Sequence, residues 1–120
     1  MRYISFMLTP EQILDQTKTV TRRAGWLSAK PGDLLQPARK CMGLKKGEKI
    51  QTLGPPIRLI SVRQEPLHAM LLDQQYGLQE TVREGFPDMT PERFAAFFCQ
   101  SHKGCQYHTV ITRLEFEYTA

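Results

Sequence analysis

Long apolar runs are absent from this 120-residue sequence. Stretches such as Ile4 to Leu8 and Ala69 to Leu72 fall far short of the roughly 20 residues that cross a bilayer, so no membrane span is expected. The opening MRYISFMLTPEQ carries one basic residue, a short apolar stretch and no small-residue cleavage site. A secretory leader is therefore not expected, and the cytoplasm is the expected compartment. Cysteine is scarce: three thiols cannot all pair with one another, and a reducing compartment would leave them for packing, metal binding or reactivity. No disulfide is expected on that basis. Internal repeats, low-complexity tracts and long linkers are also missing, which leaves a single domain over residues 1–120.

What is present is an uneven distribution of charge. Residues 1–49 hold ten Lys and Arg against four Asp and Glu, a balance of +6, whereas residues 50–120 hold six against eight, a balance of −2. Lys18, Arg22, Arg23, Lys30, Arg39 and Lys40 all fall in the basic half, which suits attraction of phosphate groups. A solvated basic face serving only solubility is the alternative.

Local patterning alternates strands with short helices. RYISFML is aromatic and β-branched and reads as a strand. Thr9 as N-cap, Pro10 at the first helical position and Gln12 as capping-box partner then predict a helix through about Gln16. TKTVTRR returns to extended structure, KPGD over Lys30 to Asp33 forms a turn, and DLLQPARK resumes a strand whose Pro37 suggests an edge or bulge. GLKKGEK reads as an exposed basic connection, and IRLISVRQEPL as an internal strand. Helical spacing from His68 to Glu84 is expected to break into two helices at Gly77. Thr90 caps a helix carrying Phe94, Phe97 and Phe98 on one face, and TVITRLEFEY closes the chain as a strand. The order implies a mixed α+β domain, with a small closed barrel flanked by short helices as its expected form.

These ordered features, with Lys18-Thr19-Val20-Thr21-Arg22-Arg23, KPGD and EGFPDMTPERF, resemble the ASCH family of the PUA-like superfamily along nearly the whole chain. The family often has Gly where this chain has Gln16, a residue that takes left-handed backbone at greater cost. The resemblance implies a PUA-like mixed β-barrel whose cleft accepts RNA or a modified nucleoside. Some members are nucleases or N4-acetylcytidine amidohydrolases. In the amidohydrolase branch a Lys and a Thr three residues apart act with a Glu just before a helical segment, which here match Lys18, Thr21 and Glu84.

The chemistry of that trio is coherent in its own terms. A threonine hydroxyl is a weak nucleophile until a base takes its proton, and a desolvated Lys18 would serve. Glu84 would position water, relay a proton or accept a hydrogen bond from a cytosine amino group; helix-end capping is its plainer role. On an uninterrupted strand Lys18 and Thr21 point to opposite faces, so they converge only where a turn or bulge intervenes. Arg22 and Arg23 would hold phosphate, with Lys40 as a further ligand contact, and Trp26 would stack a base unless it packs in the core.

A second constellation is Cys99, His102 and Cys105, to which Cys41 would add a fourth ligand for a structural zinc. Buried thiols acting as small hydrophobes are the alternative. Cys105 near His102 and His108 would otherwise make a reactive cysteine, and His68 reads as a surface or capping histidine. The sequence thus points first to RNA or nucleoside recognition around Lys18, Thr21, Arg23 and Glu84, with no cofactor required. The alternatives are an amidohydrolase of acylated cytidine or a ribonuclease, and a zinc-stabilised interaction module.

Overall fold

The computed structural model describes residues 1–120 as an α+β fold. Its strands are β1 (Arg2–Ser5), β2 (Val20–Arg23), β3 (Leu34–Ala38), β4 (Ile57–Pro66) and β5 (Val110–Tyr118). Its helices are α1 (Pro10–Leu14), α2 (Ala69–Leu72), α3 (Gln74–Arg83) and α4 (Pro91–Gln100). No helix is long and apolar enough to cross a membrane.

The strands form one five-stranded sheet in the order β1-β3-β4-β5-β2. β1 and β3 are parallel and the other pairs antiparallel. The expected closed barrel is not formed. The edge strands β1 and β2 are only four residues long and share no ladder. What spans them is a side chain: the Arg23 guanidinium donates to the Ser5 carbonyl. The gap in the sheet is therefore a place where backbone gives way to side chains, and the candidate site lies there.

Long β4 and β5 carry the register, and a shift between Leu59 and Ser61 turns Ile60 outward. Pro37 sits inside β3, as the sequence allowed: pairing with β4 ends at Leu34 and Leu35, and beyond it only a single bridge, Ala38 to Thr52, follows, with the Pro37 carbonyl accepting from the Leu53 N–H at 2.9 Å. One sheet face packs Ile4, Phe6, Leu35, Ile57, Leu59, Leu114 and Phe116 with Ile13 of α1. A second core joins Leu67, Met70 and Ile111 to Phe94, Ala95 and Phe98 of α4. Alternation in TVITRLEFEY and the Phe spacing of α4 thus found their partners.

Two local expectations are corrected. Gly77 does not divide the helical region. The break falls at Asp73, whose extended backbone and side chain, accepting from the Tyr76 N–H, start α3. Gly77 lies inside α3 because a Cβ there would stand 2.1 Å from the Met70 carbonyl oxygen and 2.7 Å from Pro91. The other correction concerns α1, where Thr9 makes no side-chain cap and Gln12 does not reach back to it. Gln12 instead donates across the molecule to the Gly85 carbonyl, 3.1 Å away, tying α1 to the end of α3.

Candidate functional site

Lys18 precedes β2, whose first residue is Val20, so the strand-parity objection does not apply: irregular backbone lets Lys18 and Thr21 line the same cleft. The backbone turn that prepares this is left-handed at Gln16, φ 63°, where the resembled family often has Gly. Glu84 arrives as the C-cap of α3. Gly85 then takes φ +93°, and a Cβ on it would lie 3.2 Å from Gln12 Cγ, so glycine is required for α3 to end this close to α1 and Lys18.

Glu84 joins two cations, Lys18 just before β2 and Arg22 within it. Lys18 Nζ donates to Glu84 Oε1 at 3.0 Å and to the Glu84 carbonyl at 2.5 Å. Arg22 Nη1 donates to Glu84 Oε2 at 3.1 Å. The Lys18 ammonium also lies 6.0 Å from the Phe6 ring and 5.8 Å from the Phe86 ring, so apolar surface surrounds it where carboxylate does not. Burial pushes the Lys18 pKa below its ordinary value, and the attraction of Glu84 only partly offsets this.

Behind Glu84 lies a buried ionic network. Arg22 and its β5 neighbour Arg113 share a face of the sheet. Arg22 Nη2 donates to Glu80 Oε1 at 2.7 Å and Glu65 Oε2 at 3.1 Å, and Arg113 donates to both Glu80 oxygens. Tyr76 donates to Glu65 and accepts from Arg22 and Arg63. Burial disfavours the Arg22 charge, yet Glu84, Glu80 and Glu65 outweigh that and raise its pKa. Burial alone would raise the Glu80 pKa; hydrogen bonds from Arg113 and the charge of Arg22 instead hold it down at about 2. Glu80 and Glu84 are one helical turn apart, a like-charge spacing that is tolerated because Arg22 bonds to both. That i, i+4 pair of acids was the available sequence signal for this network. Glu65, Tyr76 and Arg113 gave none, because only the register of β4 and β5 brings them together.

Arg22 is thus corrected as a phosphate ligand: its side chain is fully shielded from water and shared among three carboxylates. Arg23 differs. Its Nε donates to Thr21 Oγ1 at 3.0 Å, and it pairs with no carboxylate. Thr21 Oγ1 accepts that bond and donates none, leaving its proton unengaged. Trp26 is placed away from the cleft, with the Arg2 guanidinium 3.6 Å above its ring and the first core beneath it. Lys40 lies between β3 and the basic connection, 3.5 Å from Glu48 of that connection.

The cleft has a volume of about 210 Å³. Lys18, Thr21, Arg23 and Glu84 meet at it with Phe6, Phe86 and Phe97, and Ser101 and His102 form part of its wall. A larger groove of about 720 Å³ lies beside α1 and shares Phe86 with the cleft, but its charged lining is the exposed Glu11, Asp15, Asp88 and Arg93, and none of the trio lines it.

The four proposed zinc ligands do not assemble. Cys99 and Cys105 form a disulfide, Cys41 stands apart as a thiol, and His102 Nδ1 bonds the Phe98 carbonyl at 2.8 Å. No group of three or more His, Cys, Asp or Glu side chains is gathered to hold a metal. The disulfide also corrects the expectation of unpaired thiols and removes Cys105 as a free nucleophile. The two cysteines lie six residues apart across the end of α4, where the chain turns back on itself.

No family model and no curated protein matches this chain. Among solved structures it is similar to protein EF3133 from Enterococcus faecalis V583, of the DUF984 family, with 18% identity and a TM-score of 0.56. The match covers 92% of this chain and 66% of that one, so the chain spans about two thirds of its neighbour's length. The likeness is one of fold.

Proposed function

We propose that this chain is an ASCH-type, PUA-like domain that binds RNA or a nucleoside by taking one base into the cleft. The observation that carries the reading is the convergence of Lys18, Thr21, Arg23 and Glu84 on a small hollow walled by Phe6, Phe86 and Phe97. Aromatic walls suit the faces of a base, while a carboxylate and a cation suit its polar edge. A hollow of this size fits a single base and not a duplex groove. Arg23, without a carboxylate partner, is the cation left for a phosphate or carbonyl oxygen.

Hydrolysis of an N4-acylated cytidine is the second reading, favoured by the state of Thr21 and Lys18. The Thr21 hydroxyl has an unengaged proton, and burial lowers the pKa of the amine lining the same cleft. Neutral Lys18 would take that proton as Thr21 Oγ1 attacks the acyl carbon; the cytidine amine leaves protonated, and water then cleaves the resulting ester. Incubation with N4-acetylcytidine tests this. Release of cytidine and acetate by the wild type, lost in Lys18→Met and Thr21→Val, supports hydrolysis; saturable binding with no product limits the site to recognition.

A further inference from the structure

Part of the cleft wall is a short segment whose own hydrogen bonds are all local. Ser101 and His102 line the cleft at the end of α4. Every hydrogen bond they make stays local: Ser101 Oγ donates to the Phe97 carbonyl at 3.1 Å, the Ser101 N–H to Phe98, the His102 N–H to Cys99 and His102 Nδ1 bonds the Phe98 carbonyl. The Cys105 N–H returns to the His102 carbonyl at 3.1 Å. The His102 ring stacks on Phe98 with centroids 4.0 Å apart, again within one helical turn. The Cys99–Cys105 bond closes this segment back onto α4, and just beyond it the Tyr107 and Thr109 carbonyls accept from the His68 and Leu67 N–H groups at 2.7 and 2.9 Å. Both sulfurs pack against the second core, so the bond fixes the loop to a rigid support.

We infer that the Cys99–Cys105 disulfide is a redox latch on the cleft: oxidised, it holds Ser101 and His102 in the wall, and its reduction releases them and weakens ligand binding. The inference rests on the reading of the cleft as a ligand site. A dithiol supplies the chemistry. One of its thiolates attacks a protein sulfur and forms a mixed disulfide, and its second thiolate closes on the first to give a cyclic disulfide. Two electrons and two protons pass to the protein, leaving Cys99 and Cys105 as thiols. Between Ser101 and Cys105 the loop then keeps only bonds within residues 97–106, while its far flank stays anchored where Tyr107 and Thr109 meet His68 and Leu67. A wall formed about one tenth of the time weakens apparent affinity about tenfold, because only the competent population binds.

The test has a structural and a binding arm, both on the full chain. Histidine ring resonances of the free protein are recorded by NMR before and after treatment with excess dithiothreitol, and cytidine is titrated into both forms. The latch requires the His102 resonances to shift and sharpen on reduction and cytidine affinity to fall about tenfold. The Cys99→Ser/Cys105→Ser variant should show the weaker affinity with no response to dithiothreitol. Unchanged His102 resonances overturn the latch whatever cytidine does. Loop release with unchanged affinity overturns it too, reducing the disulfide to a stabilising staple. Loop release with cytidine bound by neither form removes the nucleoside reading and the binding half of the latch with it. If the double variant does not fold, the two redox forms of the wild type still decide.

Discussion

The Lys18 ammonium and the Glu84 carboxylate lie 3.0 Å apart, with both side chains almost wholly shielded from water. Their losses are not equivalent. Glu84→Ala strands Lys18 among aromatic rings and takes one of three carboxylates from Arg22, so it should cost about 3–5 kcal/mol, the range for breaking a buried pair. Lys18→Met leaves Glu84 paired with Arg22 and fills the same space with an apolar stem. Its stability should stay within about 1 kcal/mol of wild type while ligand binding is lost. Urea unfolding of the two variants checks the asymmetry.

Glu80 sets the acid limit of the fold. Its pKa falls from 4.5 to about 2, so between those values the unfolded chain binds more protons than the folded one. That stability is present above pH 4.5 and lost as pH falls toward 2, and amounts to about 3 kcal/mol for this one group. Glu80→Gln should flatten the acid limb of a stability-against-pH curve over this window. An equally steep limb in the variant would assign acid unfolding to other carboxylates.

Gln16 and Gly85 are a matched pair of backbone tests, because both are left-handed, at φ 63° and +93°, and they flank Lys18 and Glu84. Gln16→Gly should gain up to about 1 kcal/mol, since a non-glycine residue pays about 1–2 kcal/mol there and glycine gives some back through the unfolded chain. Gly85→Ala should lose at least about 1 kcal/mol and misplace Glu84, because its Cβ also meets Gln12. Thermal melts of both variants read the opposite signs.

Much of this site was legible before the fold was known. Lys18, Thr21 and Glu84, singled out by the family resemblance, do line one cleft with Arg22 and Arg23, whereas Trp26 and the basic residues Lys30, Arg39 and Lys40 do not. The ionic network was not legible. Arg22 reads as a phosphate ligand because sequence shows its charge but not its burial; only cross-strand register with Arg113 and the approach of α3 reveal that three carboxylates already hold it. Barrel closure failed as an expectation for a related reason. Strand patterning reports which residues face a core, whereas closure depends on whether two short edges meet, and here Arg23 and Ser5 meet in place of a ladder.

Arg23 is the cation whose removal should show where phosphates bind. It pairs with no carboxylate, but its bond to the Ser5 carbonyl spans the two sheet edges, so Arg23→Gln should cost about 1–3 kcal/mol of stability and binding is compared where both proteins are folded. Affinity for a short cytidine oligonucleotide should fall, and the slope of log affinity against log salt should become shallower by about 1. An unchanged slope would place the phosphates elsewhere.

A titration of the 15N-labelled protein with cytidine is the most direct measurement of all. Occupancy of the cleft should move the amide signals of Phe6, Thr21, Arg23, Glu84 and His102 together, saturably, and the Lys18→Met protein should show no such movement. Signals that stay fixed at saturating cytidine, or that move only around the groove of Glu11, Asp15 and Asp88, would contradict a nucleoside site between the two sheet edges.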